Sequence, residues 1–263
     1  MDNKKITFNK YSNVLNITLA SVFAGLCFAV MFLPKISIPA AVGNPYIHFG
    51  NLIVILVALL FGGIIGGISG SIGMGLYDII TGYGIWTIKT VILKFGIGAI
   101  AGYIFFKYRK KEKVNINLKN LIIGSIFIFF GISIMIIAIC NGSVIKINNK
   151  SIALSWPLYV FSIIAGIVFL LMSLISRKKS KDYSIAMYAS SLAVIFNIVG
   201  ELIGKFVKAS LEGNGIKVSF VMAISSIPAT IINGVISLVI VMLIYPILSD
   251  AIKKVSLISK EGK

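Results

Sequence analysis

Long apolar runs dominate this sequence of 263 residues. Several of them reach the ~20 residues that a helix needs to cross the hydrocarbon core of a bilayer. The composition agrees, because 58% of the residues are hydrophobic and only 13% are charged, whereas about 25% of the residues in soluble domains are charged. The runs exclude a water-soluble domain and predict one all-α, polytopic membrane domain over residues 1–263.

Eight apolar segments predict a helical bundle with eight spans. Their bounds are 13–33, 48–66, 67–82, 86–107, 120–140, 156–176, 183–207 and 218–247. Helices are expected because a helix satisfies its backbone hydrogen bonds within the segment, as the bilayer requires. Cys27 and Cys140 both fall in apolar runs, so they predict neither a disulfide framework nor a metal site.

The basic residues predict how the bundle is oriented. The chain has 25 Lys and Arg residues against 8 Asp and Glu, a net charge of +17. With a cytoplasmic N-terminus, seventeen of the basic residues fall in inner segments and five in outer ones. The positive-inside rule therefore predicts a multi-pass protein of the cell membrane with both termini in the cytoplasm. No nucleic-acid-reading motif accompanies this charge, so no nucleic-acid partner is predicted.

Ionisable residues inside the predicted spans are the functional candidates, because each costs roughly 2.5–3.5 kcal/mol on insertion scales. They are Asp78, Lys89, Lys94, Glu201 and Lys205. The predicted orientation places all of them toward the outer ends of their spans. This one-sided distribution predicts a polar cavity that opens to the extracellular side.

Other roles are open for the same residues. Glu201 and Lys205 are four residues apart and could neutralise each other on one helix face. Asp78 could pair with Lys89 or Lys94 inside the bundle, and Lys89 could instead extend toward the interface. Two alternative functions follow: a stand-alone proton-coupled carrier that uses Asp78 and Glu201 as relays, and a structural or regulatory protein without a ligand.

Enzymatic chemistry has little support in the sequence. There is no P-loop and no G-x-S-x-G motif, and a single histidine cannot form an H-E-x-x-H zinc site. We therefore predict that the chain is not an enzyme, with no catalytic residues, no metal site and no cofactor.

The stretch from His48 to Gly102 resembles the S components of energy-coupling factor (ECF) transporters, the substrate-binding membrane subunits of vitamin importers. It combines a glycine-rich turn between spans two and three, Asp78 before a Gly-Tyr loop, and a Thr-x-x-x-Lys-x-x-x-Gly pattern in span four. Ala20 and Ala24 resemble the family's AxxxA motif, and the segment around Pro228 resembles the start of its last span.

The resemblance implies an architecture and a set of partners. It implies a six-span core, made of residues 13–117 and 183–250, with residues 118–178 as an inserted transmembrane hairpin. It also implies capture of a vitamin or related small molecule at the extracellular face, followed by ATP-driven uptake through a transmembrane T component and two ATPase subunits. Ala20 and Ala24 would form the surface that contacts the T component.

The predicted substrate is a heteroaromatic ring such as a thiamine-precursor pyrimidine, riboflavin or another B-vitamin-like ring. Aromatic side chains would stack on the ring, while amide, carboxylate and Lys groups would bind its polar edge. The predicted substrate-binding residues are Tyr46, His48, Asn51, Asp78, Tyr83, Trp86, Lys89, Asn197 and Glu201.

Overall fold

The computed structural model describes residues 13–33, 36–38, 45–111, 115–141, 144–147, 150–153 and 156–261. Within these ranges seven helical segments are long and apolar enough to cross a membrane, which confirms the predicted polytopic helical class. The helices of these ranges are α1 (Asn13–Ala29), α2 (Gly50–Phe61), α3 (Gly63–Ile80), α4 (Thr87–Arg109), α5 (Ile116–Asn141), α6 (Trp156–Arg177), α7 (Lys181–Leu211), α8 (Ile216–Ser225) and α9 (Pro228–Glu261).

Helix α2 is shorter than the predicted second span. It has 12 residues and is therefore about 18 Å long. It ends at Phe61 because Gly62 has a φ of 117°, a conformation that glycine adopts without strain. The predicted spans 48–66 and 67–82 thus correspond to 50–61 and 63–80. All residues from Gly50 to Leu59 are buried, so the uniformly apolar sequence of α2 reflects a position inside the bundle.

The predicted last span, 218–247, consists of two helices. Helix α8 ends at Ser225 and α9 begins at Pro228. Proline is compatible with the first turn of a helix, where its missing N–H has no intrahelical partner, but further along a helix it removes one backbone hydrogen bond and disfavours the helical conformation of the residue before it. Pro228 therefore sets the break between α8 and α9.

Glycines bring α3 and α4 into backbone contact. A Cβ atom on Gly98 would overlap the backbone of Gly67, and one on Gly102 would overlap the backbone of Gly63. Small residues allow this approach in lipid, where apolar burial alone gives helices little reason to associate. The close contact places the end of α3 beside the start of α4.

Helices α5 and α6 form the hairpin that was predicted as an insertion. They pack against each other, with the rings of Phe127 and Phe169 stacked at 5.1 Å, and they contact α7 and α9. Strands β3 (Val144–Ile147) and β4 (Lys150–Ala153) connect them as an antiparallel pair. The evolutionary status of this hairpin as an insertion stays a prediction.

A second antiparallel pair precedes α2. Strand β1 (Ile36–Ser37) lies beside β2 (Tyr46–Ile47), with Ile36 opposite Ile47. Neither pair of strands was predicted, because strands of two to four residues leave no usable alternation in an apolar sequence. The β1–β2 pair delivers the chain to α2 at the end of the bundle where α3 ends and α4 begins.

Candidate functional site: a polar cavity in the bundle

A cavity of about 390 Å³ lies at this end of the bundle. Its walls come from α2, α3, α4, α7 and α9, from β2, and from the segment between α3 and α4. The volume falls within the range of about 300–1,000 Å³ that is typical of small-molecule sites. None of the lining residues belongs to α5 or α6.

All of the sequence-predicted substrate-binding residues lie on the wall of this one cavity. Antiparallel helices explain the convergence, because the start of α2, the end of α3, the start of α4 and the start of α9 meet at the same end of the bundle. The residues concerned are Tyr46, His48, Asn51, Asp78, Tyr83, Trp86, Lys89, Asn197 and Glu201. The nine residues therefore share one cavity, while their role in binding a substrate stays a prediction.

A buried lysine forms the floor of the cavity. Lys94 is 4% exposed, and its Nζ donates hydrogen bonds to Oδ1 of Asn51 at 2.8 Å and of Asn197 at 3.5 Å. No carboxylate among the described residues lies within 4 Å of this ammonium group. Neutral amide dipoles therefore solvate the charge of Lys94, which is one of the residues that line the cavity.

An ion pair crosses from α4 to α7 in the cavity wall. Nζ of Lys89 lies 3.0 and 2.9 Å from the two carboxylate oxygens of Glu201. A Cβ atom on Gly204 would overlap Cδ of Lys89, so the glycine makes room for the lysine stem. The alternative pairing of Glu201 with Lys205 is wrong, since no such ion pair is present in the described part of the chain.

Lys205 contacts the break between α8 and α9 instead. Its Nζ donates a hydrogen bond to the carbonyl oxygen of Ser226 and lies 3.5 Å from Oγ1 of Thr230. A cation at the carbonyl end of a helix is favourable, because it neutralises the partial negative charge there. Lys205 thereby stabilises the interrupted helix at the cavity wall.

The cavity carries an excess of positive charge. Four lysines line it, Lys89, Lys94, Lys205 and Lys208, against two carboxylates, Asp78 and Glu201. Asp78 is buried and forms no ion pair with a cation of the described residues. The alternative in which Asp78 pairs with Lys89 or Lys94 is therefore wrong.

Aromatic side chains surround the mouth of the cavity. Tyr83 is 44% exposed and lies between Gly82 and Gly84, which have φ values of 74° and 64°. Trp86 lies one turn further, with Nζ of Lys208 5.8 Å from its ring centre. The wide, flat surfaces of Tyr83 and Trp86 can stack on an aromatic ligand.

The side chains of Tyr46, His48 and Tyr83, which line the cavity but lie outside the α-helices, are uncharged near neutral pH. Burial and, to a smaller extent, the positive charge of Lys94 together lower the pKa of His48 to about 3. Burial raises the pKa of Tyr46, as does its side-chain hydrogen bond with Tyr77. Burial also raises the pKa of Tyr83. These three side chains would consequently contact a ligand as two neutral phenols and a neutral imidazole.

Ala20 and Ala24, which were predicted to contact a partner, pack inside the chain. They are 9% and 5% exposed. Ser69 of α3 donates a hydrogen bond to the carbonyl of Ala20 at 3.1 Å, and a Cβ on Gly73 would overlap the carbonyl of Ala24. In this structure their small side chains set the distance between α1 and α3, and their contact with a partner stays a prediction.

Several lining residues are absent from the predicted site. Lys94 and Lys205 were recognisable as ionisable residues within spans, and Asn233 as a polar one, but no sequence pattern indicated their partners. Thr90 and Thr230 gave no signal, since hydroxyl groups are common in apolar helices, and Tyr77 was expected only as one of the aromatic residues near the outer interface. The lining residues that the prediction missed include Tyr77, Thr90, Lys94, Lys205, Lys208, Thr230 and Asn233.

The fold and the cavity together define a polytopic helical membrane protein with a polar cavity inside its bundle. A family model described as "ECF-type riboflavin transporter, S component" matches residues 11–158, more than half of the chain. The chain belongs to this family, the S components of ECF-type riboflavin transporters, which is a family of substrate-specific transport subunits.

A further comparison finds a shorter similarity. An uncharacterized protein from a gap 3' region of Pyrococcus woesei is 35% identical over 94 residues, which make up 36% of this chain and 57% of that protein. The chain thus matches a little over half the length of this relative, whose description assigns no activity. No solved structure matches the chain.

The Lys89–Glu201 pair has a measurable structural role. Replacing Glu201 by Gln should lower the free energy of unfolding by about 3 kcal/mol, because it leaves the Lys89 ammonium partly buried without its anion. The double variant Lys89→Met, Glu201→Leu should recover much of that loss, since no unpaired charge remains. Melting temperatures in detergent compare the stability of the single and double variants with that of the native protein. An equal loss in the single and double variants would contradict the structural role of the pair.

Proposed function

We propose that this chain captures a flavin-type ring, with riboflavin as the leading substrate, at the extracellular face of the cell membrane. An ECF transmembrane T component and two ATPase subunits then drive its uptake. The observation that carries the proposal is the cavity itself, where buried donors and acceptors meet aromatic side chains in a membrane bundle. Polar groups of this kind are costly in a membrane protein and usually mark a functional site. Membership of the family favours this function over a stand-alone proton-coupled carrier.

The chemistry of the cavity suits the polar edge of an isoalloxazine ring. That edge presents two carbonyl acceptors on either side of an N–H donor. Lys94 and the amides of Asn51 and Asn197 supply donors at the cavity floor, and the carboxylate of Asp78 supplies an acceptor. Tyr83 and Trp86 supply stacking surfaces at the mouth. A neutral ring with several acceptors also matches an excess of positive charge without requiring a substrate anion.

We also propose that the cavity opens outward and that both termini lie in the cytoplasm. The opposite end of the bundle is strongly basic, where the α4–α5 and α6–α7 junctions meet: Arg109 pairs with Asp182 at 3.1 Å, and Lys181 donates a hydrogen bond to the carbonyl of Lys111. Asn197 lies fifteen residues beyond Asp182 on α7, roughly 22 Å along the helix axis. The positive-inside rule places the basic end in the cytoplasm.

Contact with the T component is proposed for α1. Ala20 and Ala24 face α3, so the surface of α1 that remains open is the opposite one. That surface carries Ser21, Gly25 and Ala29 at four-residue spacing, all exposed, and a Cβ on Gly25 would meet no other atom within 4 Å. Small residues at this spacing allow another helix to approach closely. The two alanines then act behind this surface, by holding α1 against α3.

Lys94 gives the sharpest test of substrate capture. Lys94→Met should weaken riboflavin binding at least about 10-fold, because a charged donor contributes roughly 1.5–3 kcal/mol to a buried hydrogen bond. The ligand-free protein should not lose stability, since a buried charge without an anion is removed. Quenching of riboflavin fluorescence measures the affinity, and thermal unfolding measures the stability.

The matched control for that variant is Lys119→Met, at the basic end of the bundle, where Lys119 donates to the hydroxyl of Tyr108. This variant should leave the affinity unchanged. Unaltered riboflavin affinity in Lys94→Met, or an equal loss in both variants, would contradict the proposed role of the cavity.

Orientation is testable with single cysteines. In a background with Cys27→Ala and Cys140→Ala, Lys217→Cys should react with a membrane-impermeant maleimide on intact cells, because Lys217 lies in the first turn of α8, just beyond the end of α7 on the cavity side. Lys178→Cys should react only after the membrane is permeabilised. The reverse labelling pattern would place the basic end outside and refute the outward-facing cavity.

A further inference from the structure

The two edges of strand β2 have different partners. In an antiparallel pair, the N–H and C=O groups of alternate residues point toward the neighbouring strand, and those of the residues between point away from it. The carbonyl of Pro45 accepts a hydrogen bond from the Ile38 N–H at 2.9 Å, so Pro45 faces β1. The carbonyl of Tyr46 and the N–H of His48 therefore face away from β1.

One side chain from α9 binds the edge of β2 that faces away from β1. Oδ1 of Asn233 accepts a hydrogen bond from the His48 N–H at 3.0 Å, and Nδ2 of Asn233 donates one to the Tyr46 carbonyl at 2.8 Å. Both backbone groups lie about 185 residues away in sequence. The amide thus takes the place that the C=O and N–H of a third strand would fill.

Asparagine is suited to this position because it combines a donor and an acceptor in one short planar group. An ionised aspartate offers acceptors alone, and leucine offers neither. Asn233 is 5% exposed, so loss of its amide would leave a carbonyl and an N–H without partners in a largely dry environment. Two-stranded pairs are marginally stable on their own, and β1 and β2 have two residues each.

We propose that Asn233 is a positioning residue for the substrate cavity, which fixes the backbone from Tyr46 to His48 and so orients the two rings that line it. The rings lie 5.7 Å apart, and both face the cavity with Asn233. His48 has a second tie, because its Nδ1 accepts a hydrogen bond from the Gly50 N–H at 3.3 Å. This assigns the ring proton to Nε2, which leaves a donor for the ligand. The inference deepens the proposed capture of a flavin-type ring and rests on it.

Hydrogen exchange in the ligand-free protein tests the backbone contact alone. Asn233→Leu should raise the exchange rate of the His48 amide about 10-fold or more, since the N–H loses its acceptor. The matched control is Ser237→Ala, one turn further along α9, because the buried Ser237 hydroxyl has no hydrogen-bond partner among the described residues. That control should leave the exchange unchanged. Unaltered exchange in Asn233→Leu would overturn the proposal.

The rate of riboflavin dissociation tests the consequence for the substrate. Asn233→Leu should accelerate it about 10-fold or more, whereas Ser237→Ala should not. If exchange at His48 rises while dissociation stays at the native rate, Asn233 is a structural residue only and the positioning role is refuted. If the native protein binds no riboflavin, the proposed function fails, and the positioning role for that substrate fails with it, while the exchange result still decides the backbone contact.

A third variant provides a readout that general destabilisation would not change. The neutral carboxylic acid in Asn233→Asp has a donor and an acceptor like the native amide, and it loses the donor when it ionises. Riboflavin dissociation from this variant should therefore accelerate as the pH rises through the ionisation of the new carboxyl. The native protein is the pH control, because it retains every other titratable group on the cavity wall: Tyr46, Tyr77, Asp78, Tyr83, His48, Lys89, Lys94, Glu201, Lys205 and Lys208. The same pH dependence in both proteins would contradict the role of the Asn233 amide.

Discussion

The arrangement of this bundle depends on how it holds a lysine in its interior. A buried ammonium group costs several kcal/mol even after relaxation, and Lys94 meets that cost through the amide oxygens of Asn51 and Asn197 rather than through an ion pair. Those contacts join residues of α2, α4 and α7 on the wall of the cavity. They also leave the charge available, because a carboxylate partner would compete with a ligand for the lysine.

Glycines make this polar interior compatible with tight packing. Along the contact between α4 and α7, Gly96 accommodates Phe196, Gly200 accommodates Leu93, and Gly204 accommodates the stem of Lys89. The helices therefore lie close together without excluding the Lys89–Glu201 pair. On the opposite side of α4, the backbone contact with α3 likewise combines close packing with a polar residue at the cavity, since it keeps Asp78 near the start of α4. The same small residues thus allow the helices to pack closely and leave room for the polar side chains of the cavity.

The helical class of the bundle and the charged residues at its cavity end could be predicted from the sequence, because the length of apolar runs, basic loops and charges within spans are local signals. The positions of Asp78, Lys89 and Glu201 at one end followed from span order alone. Partner choice could not be predicted: Glu201 has Lys205 one turn away but pairs with Lys89 across 112 residues, and Asn233 acts on backbone groups that no pattern reveals. Ala20 and Ala24 show the same limit, since spacing does not tell which neighbour a small residue faces.

Mass spectrometry of small molecules released from the purified protein tests the central claim most directly. The protein would be produced in cells supplied with riboflavin, washed in detergent and denatured, and the released compounds quantified against protein. We expect a flavin at close to one molecule per chain from the native protein, and a much lower amount from Lys94→Met. Release of lipid alone from a folded native protein, or equal flavin from both proteins, would contradict the claim that the buried polar groups form a substrate site.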